Sequence, residues 1–143
     1  METINHEYYV SLEVSKLLKE AGFDWAGYDF YNLDDNNKFH FVGVGPTNWN
    51  DIDGRLSAPT LAVAQRWLRQ EKEMYAEAYL SESHHAAVWI AEVYLWENRP
   101  LGRELRDKCL CTGIGPVYFD TYEEAQEAGI KKALELILEE ANQ

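Results

Sequence analysis

Three stretches of the chain place apolar residues at helical spacing, and the segments between them hold short apolar runs bounded by turn formers. The first helix is expected from Ser11, as N-cap, through LEVSKLLKEA. Val14, Leu17, Leu18 and Ala21 fall on one side, and Gly22 is placed as the residue after the C-cap. Phe23 then occupies the position from which a Schellman ending reaches Leu18.

GYDFY at 27–31 and KFHFVGV at 38–44 read as two strands of a hairpin, because NLDDNNK between them is a cluster of turn-forming residues. The next stretch, GPTNWNDIDGRLSAP, is rich in Gly, Pro, Asn and Asp and is expected to be a surface loop. A second helix follows, with Thr60 as N-cap or Pro59 in its first turn. Its stripe is Leu61, Ala64 and Leu68, with Trp67 on the flank, and it fades after Lys72.

MYAEAYL at 74–80 and AVWIAEVYLW at 87–96 are strands around the polar SESHH. The second alternates between two largely apolar faces, which predicts a central position in its sheet. NRPLGRELRDK at 98–108 is the one locally basic segment and reads as a loop or a short exposed helix. A last strand around Val117 to Phe119 leads into the third helix.

That helix carries the strongest start signal, Thr121 as N-cap with Glu124 three residues on, the capping-box pattern, and Glu123 beside it. Tyr122, Ala125, Gly129, Ala133 and Leu136 share one stripe, widened by Ile130, Leu134 and Ile137. Gly129 costs about 1 kcal/mol against Ala inside a helix. A close approach of the Ala125–Gly129–Ala133 seam to a sheet or neighbouring helix is the natural compensation.

The order is α-β-β-α-β-β-β-α. Helices with one apolar stripe and strands joined by hairpins predict an α+β two-layer sandwich, with a mainly antiparallel sheet of about five strands and three helices. At 143 residues with 46% hydrophobic content, the chain is sized for a single globular domain, residues 1–143.

Composition narrows the function. The net charge of −12, from 25 Asp and Glu against 13 Lys and Arg, repels phosphates and disfavours nucleic acid as a partner. AAVWIAEVYLW is the most apolar run and falls far short of the roughly 20 residues that a membrane crossing needs. METINHEYYV lacks the basic and apolar regions of a secretory signal, so a cytoplasmic location is expected. Cys109 and Cys111, two apart, form no disulfide framework.

No candidate chemistry reaches a complete motif. Asp51, Asp53 and Gly54 match the middle of a calcium loop, but Trp49 and Thr60 stand where its terminal ligands belong. His84, His85, Cys109 and Cys111 lack zinc spacing. GIGP at 113–116 lacks the lysine and the helix start of a phosphate cradle. No catalytic residue, metal site or cofactor is therefore assigned. Aromatics are dense between Phe23 and Trp49, and Trp25, Tyr31 and Trp49 are the candidates for a binding surface.

VSLEVSKLLKEAGF, LSAPTLAVAQRWLRQ and FDTYEEAQEAGIKKALELI together resemble a family of small uncharacterised proteins found in gut Bacteroidetes genomes and their phages or prophages. The resemblance implies a bacterial or phage setting and an accessory role. The leading expectation is a non-enzymatic protein that binds another protein. A small-molecule or enzymatic site in a cleft beside the sheet is the alternative. An acidic mimic of DNA is a third reading, weakened because six glutamates on the third helix are too sparse to imitate phosphates and Lys131 and Lys132 interrupt them. Homo-oligomerisation stays open.

Overall fold

The computed structural model describes residues 8–41, 45–83, 86–99, 102–106 and 118–142. In chain order the elements are α1 (Leu12–Glu20), β1 (Asp29–Asn32), β2 (Lys38–Phe41), β3 (Arg55–Ser57), α2 (Leu61–Lys72), β4 (Met74–Ser83), β5 (Ala86–Arg99), β6 (Gly102–Arg106) and α3 (Tyr122–Ala141). The protein is of the α+β class, and all its described strand pairs are antiparallel. The strands divide between two three-stranded sheets, ordered β2-β1-β3 and β4-β5-β6.

Local chemistry sets the helix ends. Ser11, Thr60 and Thr121 are N-caps with extended backbones, and each side-chain oxygen accepts the N–H three residues ahead, at 3.2, 3.2 and 3.1 Å. Helix α1 ends in a complete Schellman motif. Phe23 N–H donates to the Leu18 carbonyl at 2.9 Å, Gly22 N–H to that of Lys19 at 3.1 Å, and Gly22 holds φ +96°. Phe23 and Leu18 join the same buried cluster.

The β1–β2 hairpin turns through residues 33–37, where Asn36 and Asn37 take the left-handed conformation that Asn tolerates. The expected surface loop after β2 is more ordered than its composition suggests. It contains a 3-10 turn, Trp49–Asp51, and the strand β3, which pairs with β1 so that Leu56 lies opposite Tyr31. Side chains pin it: Trp49 Nε1 donates to the Gly27 carbonyl at 2.9 Å, and Asn50 Nδ2 to that of Phe23 at 2.9 Å. Asn50 Oδ1 also accepts from Ser57 N–H at 2.9 Å. Gly54 has φ +80°, and a Cβ there would collide with the Asp34 carboxylate.

The basic stretch expected as loop or helix instead forms β6, with Arg99 paired to Gly102 and Leu95 to Arg106. Pairing to the long β5 overrides the helical preference of Arg, Glu and Leu, and a charged sequence suits an outer strand. Strand β5 is central, as its two apolar faces predict. Its flank also pairs Trp89 with Phe119 through hydrogen bonds of 2.9 and 2.8 Å. The remainder of the expected strand, at Val117, lies outside the described residues.

Helix α3 lies on β4 and β5. Ala125, Gly129, Ile130, Ala133 and Leu134 are buried, and a Cβ on Gly129 would sit 3.7 Å from the Cβ atoms of both Ala76 and Ala91. The glycine is thus part of a small-residue contact between helix and sheet. The main core joins α1, α2, β4, β5 and α3 around Leu18, Trp67, Leu68 and Val93. A smaller one, Tyr31, Leu56 and Ala58 with Leu12 and Phe39 against it, lies between the first sheet and α1.

Candidate functional site

The first residues of α1 and α3 meet at one side of the molecule. Backbone N–H of Ser11 donates to Glu127 Oε1 at 2.7 Å, so a carboxylate from α3 satisfies a donor at the start of α1. Tyr9, Ser11, Leu12, Tyr31, Thr121, Glu123, Glu124 and Glu127 surround an open groove of about 440 Å³ there. A second open groove, about 470 Å³, holds Tyr8, Leu61, Gln65, Tyr122 and Gln126, and shares Glu123 with the first. It brings in the start of α2, so the starts of all three described helices border one tyrosine- and glutamate-rich surface.

The floor of this surface is firmly built. Tyr31 O–H donates to the Val10 carbonyl at 2.6 Å, and Val10 N–H donates to the Pro59 carbonyl at 3.0 Å. Gln126 Nε2 donates to Gln65 Oε1 at 3.1 Å, and Gln65 Nε2 in turn donates to the Ala76 carbonyl, which ties α3 to α2 and β4. Burial raises the pKa of Tyr31, and the nearby charge of Glu127 raises it further. Tyr9 is raised by burial and then by Asp29, whose carboxylate accepts its hydrogen bond. Asp29 is itself raised by burial, against the opposing effect of that bond.

A separate, narrower cleft of about 220 Å³ opens beside the start of β1 and the end of β3. Phe23, Trp25, Tyr28, Ala58, Pro59 and Val63 give it apolar walls, and Gly27, Asp29, Ser57 and Thr60 complete the lining. Asp29 Oδ1 and Ser57 Oγ are shut off from solvent and have no hydrogen-bond partner.

The aromatics singled out from the sequence occupy three different surroundings. Tyr31 is buried under the acidic groove, and Trp25 lines the narrow cleft with the Arg66 guanidinium 5.9 Å from its ring. Trp49 is held by the first sheet, packed on Phe30 at 4.4 Å, with the Arg55 guanidinium 5.9 Å from its ring. Glu127, Tyr9, Asp29 and Ser57 carry no motif that marks them in the sequence. Only chain folding brings Glu127 to Ser11, 116 residues away.

Among the described residues no group of three or more His, Cys, Asp or Glu side chains could hold a metal ion. His84, His85, Cys109, Cys111 and the GIGP segment lie outside those residues. No described helix is long and apolar enough to cross a membrane. No protein-family model, curated protein or solved structure matches the chain.

Proposed function

We propose that the protein is a non-enzymatic, cytoplasmic accessory protein of bacterial or phage origin that binds a basic segment of another protein. The observation that carries this reading is the groove in which Glu123, Glu124 and Glu127 stand beside Tyr9 and Tyr31 at the joined ends of α1 and α3. Tyrosine supplies broad contact area with a polar tip, and carboxylates select Lys and Arg. The net charge of −12 steers such a partner inward and opposes a second copy of this acidic chain at the same face. Mimicry of DNA gains less from the geometry, because Glu127 is engaged by Ser11 N–H and Glu13 by Lys131 at 2.9 Å.

Affinity capture from a native bacterial lysate tests the reading. The wild-type chain is expected to retain a basic protein that elutes as salt rises. A Glu123→Gln, Glu124→Gln double variant with unchanged circular dichroism is expected to lose it. Retention of the same partner by the double variant removes the groove as the binding surface, and a static monomer with no partner counts against protein binding altogether.

A second reading, a small-molecule site beside the first sheet, is favoured by one observation: the cleft of about 220 Å³ has apolar walls from Phe23, Trp25, Tyr28, Pro59 and Val63 with Asp29, Ser57 and Thr60 also in its lining.

A further inference from the structure

We infer that the outer edge of β4 binds an extended segment of another protein by strand addition, and that this segment alternates apolar residues with Lys or Arg. The partner class is that of the first reading above, on which this rests, and the surface is a different one. Backbone directions define the edge. Trp89 commits both its N–H and its C=O to Phe119, on the side away from β4, so Leu80, directly opposite Trp89, turns its own N–H and C=O away from β5. The Ala76 carbonyl, which accepts from Gln65 Nε2, faces outward by the same alternation. Ala78, Leu80 and Glu82 therefore aim their backbone groups at the outer side. Among the described residues nothing bonds those of Ala78 or Leu80.

This edge lacks the devices that guard an outer strand. The β4–β5 register runs from Met74 to Ser83 without a bulge, and the stretch contains no Lys, Arg or Pro, whereas β6 on the far side of the sheet carries Arg103 and Arg106. Tyr79 and Leu80 are 40% and 57% exposed. Gln65 closes the edge at Ala76 and leaves 77–83 open. Charge selects the occupant. Ala76 and Ala91 face α3, so Glu77 and Glu92 stand directly opposite each other on the other face, a like-charge pair that costs stability. Tyr75 hydrogen-bonds Glu77, and Tyr79 O–H donates to Glu92 Oε1 at 2.5 Å, but neither carboxylate forms an ion pair among the described residues. An incoming strand sets one residue beside Glu77 and, on the opposite face, another beside Leu80. A Lys or Arg at the first relieves the repulsion, and an apolar residue at the second covers Leu80. The net charge of −12 attracts such a strand and opposes a second copy of this chain.

The test titrates the ¹⁵N-labelled full chain with short capped peptides that alternate Val with Lys or Val with Glu. The Val–Lys peptide is expected to give saturable amide shifts at Ala78, Leu80 and Glu82 and to slow hydrogen exchange at Ala78 and Leu80. The Val–Glu peptide should bind about tenfold more weakly or worse, and a Val–Lys peptide N-methylated on its edge-facing amides should not bind. Leu80→Pro is expected to abolish binding and keep the β4–β5 ladder, because the Leu80 N–H points outward. Should that variant misfold, the N-methylated peptide decides the matter on the wild-type chain. Shifts confined to Ser11, Glu124 and Glu127, lost in the Glu123→Gln, Glu124→Gln variant and kept in Leu80→Pro, overturn the inference and leave the acidic groove as the binding surface. Edge binding that persists in the double variant supports the inference whatever becomes of the groove. Equal binding of the two peptides, saturation with neither, or a dimer that shifts the same amides without peptide overturns it.

Discussion

The backbone N–H of Ser11 donates to the carboxylate of Glu127 at 2.7 Å, across 116 residues of sequence. This bond fastens the start of α1 to the first turns of α3, and an ionised acceptor makes it stronger than a neutral one. Glu127→Ala is expected to cost about 1.5–3 kcal/mol, the range for hydrogen bonds to charged groups. Glu127→Gln, which keeps an acceptor, should cost less. Urea unfolding of the two variants measures the difference.

Gly129 is buried, yet its immediate surroundings have room for a methyl group. A Cβ there meets Ala76 and Ala91 at 3.7 Å, ordinary van der Waals separation. Gly129→Ala is expected to stabilise the protein by up to about 1 kcal/mol through helix propensity. Gly129→Leu has no such space and should destabilise, with the denaturation midpoint moving down.

The Tyr31 hydroxyl bonds the Val10 carbonyl at 2.6 Å. Tyr31→Phe should cost about 1–2 kcal/mol at neutral pH. Burial, then the charge of Glu127, raises the folded-state pKa of Tyr31 above its ordinary 10.0, so its stabilising contribution is fully present below that value and is lost as pH climbs past it. The stability gap between wild type and Tyr31→Phe should therefore narrow above pH 10. Thermal melts across the alkaline range provide the check.

Asp29 has the same sign in a lower pH window. Burial raises its folded-state pKa above the ordinary 3.8, so the folded chain binds a proton more readily than the unfolded one. The wild type is penalised at neutral pH for holding the charged form, and the penalty fades as pH falls through the raised pKa. Asp29→Asn should melt higher than wild type at pH 7, and the advantage should vanish below about pH 4, near the unperturbed carboxylate value.

Ser15 lies on α1 fully buried, and its hydroxyl has no partner. Ser15→Ala removes an unpaired polar group and improves helix propensity. A gain of about 0.5–1 kcal/mol is expected in denaturant unfolding.

The helix boundaries were legible because their causes are local. Ser11, Thr60 and Thr121 cap the N–H groups three residues ahead, and the Gly22–Phe23 ending closes on Lys19 and Leu18. The hairpin around Asn36 and Asn37 was readable for the same reason. Strand β3 was not, since Arg55–Ser57 becomes a strand only by pairing with β1, more than twenty residues earlier in the chain. Strand β6 was hidden by residues with helical preference, which the pairing with β5 overrides. The candidate grooves were less legible still. Trp25 and Tyr31 were visible as aromatics, but they line different openings, and their companions Glu127, Asp29 and Ser57 carried no signal at all.

Read alone, the sequence determined the α+β class, the caps, the central placement of β5 and the inward stripe of α3, since each follows from contacts within a few residues or from the alternation of apolar positions. Tertiary structure decided the division into two sheets, the union of Ser11 with Glu127 and the gathering of Trp25, Asp29 and Ser57 around one cleft. Those features depend on which distant segments meet. That choice is made by the packing of whole faces around Leu18, Trp67 and Val93, and no short run of residues carries it.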